Sequence, residues 1–91
     1  MGLRELAYRS DVVRPLSALP RGAAGVVVRL RDDDPARAGR LVALGVTRGA
    51  RVRVLQTFPG IVFMCDETEL VVERGIASHI YVDVDDNSLP A

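Results

Sequence analysis

Lysine and tryptophan are missing from this chain, and cysteine occurs once. Each absence removes a possibility. Without a second cysteine, Cys65 cannot close an internal disulfide, so the fold rests on its core alone. All 12 basic residues are arginine and are matched by 12 acidic ones, which leaves no positive excess of the kind that phosphate backbones or anionic lipids select. No nucleic-acid partner is expected. Arginine-only usage fits a codon bias of the source genome, although guanidinium forks would also serve at an interface. Aromatics are 4% of the residues, so the core must come from Val, Leu, Ile and Ala, which favours β-rich packing. No apolar run approaches the roughly 20 residues of a membrane helix. The first residues, with Arg4 and Glu5 between Leu3 and Leu6, lack the apolar stretch of a signal peptide. A soluble cytoplasmic chain, not itself a membrane protein, is expected.

What is present is a chain of 91 residues with 48% apolar content, enough for one small core and not for two. Residues 1–13 mix charge with Leu3, Leu6 and Tyr8 and read as an N-terminal extension. From Arg14 the pattern sharpens: Leu16 and Leu19 among Pro15, Pro20 and Gly22 read as a structured lead-in and a turn. Residues 24–31 (AGVVVRLR) alternate as a first strand, with Val26, Val28 and Leu30 on one face and Val27, Arg29 and Arg31 on the other. A helix start follows, in which Asp34 caps, Pro35 fits the first turn, and Asp32 to Asp34 complement the helix dipole. Ala38, Leu41 and Val42 keep helical spacing until Leu44. Gly45 then suits the left-handed residue that ends a helix, with Val46 folding back on the last turn.

Thr47, Arg48 and Gly49 launch a strand at 50–57, in which Val52 and Val54 oppose Arg51 and Arg53. Phe58, Pro59 and Gly60 break it. A third strand at 61–65 and a fourth at 69–73 flank a polar connection, Asp66 to Thr68, as a hairpin. One helical turn around Ile76 and Ile80 precedes a fifth strand at 81–84, and residues 85–91 form a polar C-terminal tail. Five short strands with one inserted helix are best accommodated by a small, partly open barrel, because closure pairs backbone groups that a flat sheet would leave bare. The expected fold is mainly β, an SH3-like β-barrel with one short inserted α-helix, spanning residues 14–84.

The order of these signals resembles the FeoA family of small ferrous-iron-transport accessory domains. The most specific element is the corner L-x-x-L-G-hydrophobic-T-x-G at Leu41, Leu44, Gly45, Val46, Thr47 and Gly49, followed by an alternating strand. A second is the run from Leu70 to Val72 into a turn at Gly75 to Ser78, with Ala77, then Ile80 and Val82. The resemblance implies an SH3-like barrel that occurs free-standing in the cytoplasm or as the C-terminal domain of metal-responsive repressors. In its free-standing form it implies contact with the cytoplasmic G-protein part of the membrane permease FeoB. Within the helix, Gly39 departs from the family pattern and costs roughly 1 kcal/mol against alanine.

Catalysis needs a nucleophile beside a base, or paired titratable groups in a cleft. Cys65 and His79 are the single thiol and the single imidazole, and nothing in their spacing brings them together, so no enzyme is expected. Cys65, Asp66, Glu67, Glu69 and His79 supply soft and hard ligands for a divalent transition metal. They lack the C-x-x-C or H-x-x-x-H spacing of a built site, and a solvated turn beside a packed thiol is the simpler account. No cofactor is required. For partner binding, Phe58, Pro59 and Ile61 place apolar groups at a loop, which would either fold over the barrel mouth or meet another protein. Arg37 and Arg40 could rim such a surface for an acidic partner, or simply be solvated.

The leading expectation is a non-enzymatic interaction module that modulates a FeoB-type iron permease at the cytoplasmic face of the membrane. A metal-sensing regulatory domain related to repressor SH3-like domains is the alternative. An RNA-binding barrel would need a basic stripe that the balanced charge does not provide. Homo-oligomerisation is left open.

Overall fold

A computed structural model describes residues 12–31 and 33–89 of the chain. The expectations placed on residues 1–11, Asp32 and residues 90–91 lie outside the described residues. Six antiparallel strands form one sheet: β1 (Val13–Pro15), β2 (Ala24–Leu30), β3 (Arg51–Gln56), β4 (Ile61–Cys65), β5 (Thr68–Val72) and β6 (Ile80–Val84). Their spatial order is β1-β6-β2-β3-β4-β5, so β1 and β5 are the two edges. Helix α1 (Pro35–Ala43) is inserted between β2 and β3, and the short α2 (Arg74–Ala77) joins β5 to β6. The sheet curls until side chains from both ends meet. Leu16, just after β1, and Val72 on β5 belong to one core cluster with Val27, Val52, Val54, Phe63, Ile80 and Val82. This is the SH3-like barrel with an inserted helix that the pattern implied.

Strand β1 was not evident in sequence, because three residues ending in proline show no alternation. It pairs with β6 through Val13↔Asp83, Arg14↔Val82 and Pro15↔Tyr81, so the sheet has a sixth strand. The expected facing of β2 also changes. A bulge between Val27 and Arg29 in the β2–β6 ladder resets the alternation, so Val27 is buried, at 1% exposure, while Leu30 packs against the same core. A bulge bends and twists a strand, and here it turns β2 across the barrel. The β4–β5 connection is shorter than expected. Cys65 pairs with Thr68, leaving a two-residue loop in which Asp66 takes a positive φ of 53°. Asp66 is held there by two bonds to Arg51: its amide donates to the Arg51 carbonyl at 2.7 Å, and its carboxylate accepts the Arg51 amide at 3.1 Å.

Residues 85–89, after β6, are tied down rather than loose. A 3-10 turn at Asp86–Ser88 sets the Ser88 hydroxyl against β2, where it accepts from the Ala24 amide at 2.9 Å and lies 3.1 Å from the Ala24 carbonyl.

Helix α1 begins as the sequence indicates. The Asp34 carboxylate accepts from the Arg37 amide at 3.3 Å and Pro35 follows it, satisfying one of the free amides of the first turn. It ends in a Schellman arrangement. Gly45 has φ +95°, its amide bonds to the Val42 carbonyl at 2.9 Å, and the Val46 amide bonds to the Leu41 carbonyl at 2.9 Å. Val46 is thereby carried into the core, fully buried. Gly49 then bonds back to Val27 at 2.8 Å while Val27 bonds to Ala50 at 2.9 Å, which starts the β2–β3 pairing. The two-glycine corner thus ends a helix, buries a valine and registers a strand within five residues.

Candidate functional site

Only Leu41 of α1 is buried, so the helix leans on the barrel through one side chain and stands off from β5. Between them runs a groove of about 430 Å³, lined by Arg37, Arg40, Leu41 and Leu44 on the helix side and by Val71, Val72, Glu73 and Ile76 on the other. Leu44 is 51% exposed and Val71 is 68% exposed, large values for apolar side chains in so small a domain. Arg37 makes a loose pair with Asp34 at 3.7 Å. Arg40 has no ion-pair partner among the described residues. The groove therefore has an apolar floor, a cationic wall on α1, and a carboxylate, Glu73, at the start of α2.

The loop residues divide. Phe58 is 78% exposed and Pro59 is exposed, whereas Ile61 is fully buried. Ile61 opens β4 on the inward phase, in the alternation that also buries Phe63 and Cys65, so it packs inside the barrel. Phe58 is displayed from a loop held at both shoulders. The Gln56 side-chain amide donates to the Phe58 carbonyl at 2.9 Å, and the Arg74 guanidinium donates to the carbonyls of Thr57 and Ser17. An exposed ring on a fixed loop suits contact better than chemistry.

The residues with metal-ligand chemistry are dispersed. Cys65 points into the core at 3% exposure, and its thiol donates to the Gly45 carbonyl at 3.5 Å. Burial, and then the neighbouring Asp66 charge, push the thiol pKa above its ordinary value of 9.0, which disfavours the thiolate that metals and electrophiles require. Glu69 pairs with Met64, one step out of phase with Cys65, and so points to the outer face. Glu67 is exposed in the turn. His79 lies at the other end of β2: its carbonyl accepts from the Arg31 amide at 2.9 Å and its ring nitrogen is 3.7 Å from Asp33. Among the described residues no group of three or more His, Cys, Asp or Glu side chains is placed to hold a metal ion.

Val71, Glu73 and Ile76 were not singled out from the sequence as surface residues. The signal was available: once Leu70 and Val72 are assigned inward, Val71 is a surplus apolar residue on the outward phase of a strand.

The fold and this surface define a class, a small SH3-like domain with one inserted helix that borders a groove at one sheet edge. The model of the FeoA domain matches residues 14–84, and the chain belongs to that family. Solved structures agree. An iron uptake regulatory protein, FeoA, is 27% identical with a TM-score of 0.73, the match covering 80% of this chain and 97% of that one. FeoA of Stenotrophomonas maltophilia, complexed with zinc and described as a procaryotic SH3 domain protein, is 26% identical with a TM-score of 0.66, over 80% of this chain and 91% of that one. A manganese-dependent transcriptional repressor is 29% identical with a TM-score of 0.73, over 77% of this chain but only 40% of its own. No curated protein sequence matches the chain. No helix among the described residues is long and apolar enough to cross a membrane.

Proposed function

We propose that this chain is a non-enzymatic, cytoplasmic accessory module of ferrous iron transport, which contacts a FeoB-type permease through its G-protein domain and modulates transport by that contact. The observation that carries the reading is the FeoA match across residues 14–84. The exposed chemistry of the domain supports it: Phe58 on a pinned loop, and a groove with apolar floor and arginine wall. A binder shifts its partner's equilibrium only by holding one state more tightly than another. A tenfold preference, about 1.4 kcal/mol, is within reach of a few such contacts. The reading requires no metal ion.

Fe(II) uptake into vesicles carrying the permease, with and without this protein, tests the proposal directly. A change in uptake rate that saturates with added protein is expected, together with capture of the permease from solubilised membranes. Unchanged uptake and no capture would overturn it.

A second reading, a metal-sensing regulatory domain, is favoured by one observation: the same fold forms part of a manganese-dependent repressor. It requires stoichiometric binding of Fe(II), Mn(II) or Zn(II) that is lost on changing Glu69 or His79. Calorimetric titration with each metal separates it from the first.

A further inference from the structure

The two edges of the sheet are finished differently. At the β1 edge the strand is three residues long and ends in Pro15, which has no amide to offer. The carbonyl of Val13 is covered by the Arg14 guanidinium at 2.9 Å. Short length, proline and a charged side chain laid along the backbone are the devices by which edges are kept from pairing with other chains. The β5 edge has none of them.

The hydrogen-bonding phase of β5 follows from its turn. A two-residue loop bonds the first flanking residue to the last, so Cys65 and Thr68 are a hydrogen-bonded pair. Antiparallel ladders then alternate. With the unbroken register Phe63↔Leu70 and Ile61↔Val72, residues 68, 70 and 72 spend their backbone groups on β4. Glu69 and Val71 turn theirs away from the sheet. No described residue outside the ladder bonds to the backbone of either. The result is a free edge with two outward amides and two outward carbonyls, facing the groove whose other wall is α1.

From this we infer that the β5 edge receives an extended segment of a partner protein as a seventh strand, seated between β5 and α1. The segment carries alternating apolar residues and an acidic residue opposite Arg37 and Arg40. Strand addition supplies affinity through the main chain and specificity through alternate side chains. Here the apolar positions meet Leu44, Val71 and Ile76, and the acid meets the Arg40 guanidinium, which has no ion-pair partner among the described residues. Glu73 at the α2 end repels a second acid placed there, which fixes the position of the first. The inference deepens the accessory-module reading and rests on it only for the identity of the partner.

The test uses the full chain and a blocked synthetic heptapeptide alternating valine with aspartate and threonine, with a control in which arginine replaces aspartate. In the free protein the amides of Glu69 and Val71 exchange with solvent quickly and those of Leu70 and Val72 slowly. On adding the peptide, Glu69 and Val71 become protected. The acidic peptide binds about tenfold more tightly than the control, as one close charge pair provides, and Arg40→Glu reverses that preference. Val71→Pro removes an outward amide without touching the β4 ladder, and it abolishes binding while the slow exchange of Leu70 persists. If Val71→Pro disturbs the fold, Arg40→Glu and the two peptides still decide the matter. Binding that leaves Glu69 and Val71 unprotected overturns the inference. So does concentration-dependent dimerisation that protects the same two amides without peptide, which would make a second copy the occupant. Permease capture that survives Val71→Pro removes this docking mode and leaves the accessory role standing.

Discussion

The thiol of Cys65 donates to the carbonyl oxygen of Gly45 at 3.5 Å, joining the last residue of β4 to the left-handed glycine that ends α1. Twenty positions apart in sequence, the two residues fasten the inserted helix to the barrel. Because the thiol is raised above 9.0 by burial and by Asp66, the unfolded chain loses this proton first as pH climbs. The contribution is complete below the pKa of the unfolded thiol and declines as pH rises toward the raised folded value, with a limiting slope of about 1.4 kcal/mol per pH unit. Urea denaturation at pH 7 to 10.5 checks the sign, and Cys65→Ala should flatten that part of the profile.

Two glycines near the helix should respond in opposite directions to the same substitution. Gly39 lies in the exposed interior of α1, and a Cβ there meets nothing within 4 Å. Gly39→Ala should raise stability by up to about 1 kcal/mol. Gly45 has equal space but a φ of +95°, which an L side chain resists, so Gly45→Ala should lower stability by roughly 1–2 kcal/mol. Thermal denaturation of the two variants side by side gives the comparison.

Asp34 is the side-chain cap of α1, accepting from the Arg37 amide. Its replacement by alanine leaves the first-turn amides without that acceptor and should cost about 1 kcal/mol. Asp34→Asn, which keeps the acceptor, should recover most of the loss, as read from denaturation midpoints.

Gly25 sits where β2 crosses β6. A Cβ there would lie 2.2 Å from the Asp83 carbonyl oxygen and 2.8 Å from a Val82 methyl. Neither the backbone nor a buried valine can yield cheaply, so Gly25→Ala should cost at least the roughly 1–3 kcal/mol of overpacking. Poor soluble yield with a depressed melting temperature is the expected result.

Phe58 and Ile61 stand three residues apart and should behave as opposites. Phe58→Ala leaves stability within about 0.5 kcal/mol while weakening permease capture. Ile61→Ala opens a cavity in the core and costs about 2–5 kcal/mol. Capture assays paired with denaturation curves distinguish a surface residue from a packing one.

Much of the architecture could be read directly where local chemistry decides it. Asp34, Pro35 and Gly45 mark the helix because capping and left-handed backbone are properties of single residues. The alternation in 50–57 marks β3 because Val52 and Val54 are interleaved with Arg51 and Arg53. Position is not legible locally where it depends on distant residues. The phase of β2 is set by a bulge against β6, Pro15 enters a strand only because β6 lies beside it, and Ser88 is ordered by the backbone of Ala24. The surface was legible in part. Arg37, Arg40 and Phe58 could be named as candidates for a contact surface, but the groove at β5 is lined jointly by residues of α1, β5 and α2, and no local pattern encodes a gap.

The missing lysine gains a meaning once the guanidinium groups are located. Arg74 reaches two carbonyls with two nitrogens, those of Ser17 and Thr57. Arg53 bonds to the Gly22 carbonyl, and Arg29 lies 4.4 Å above the centre of the Tyr81 ring. An ammonium carries the same charge but neither the fork nor the plane. A version of this chain with lysine at those positions would be indistinguishable in electrophoresis and isoelectric focusing, yet its loops would come unstitched.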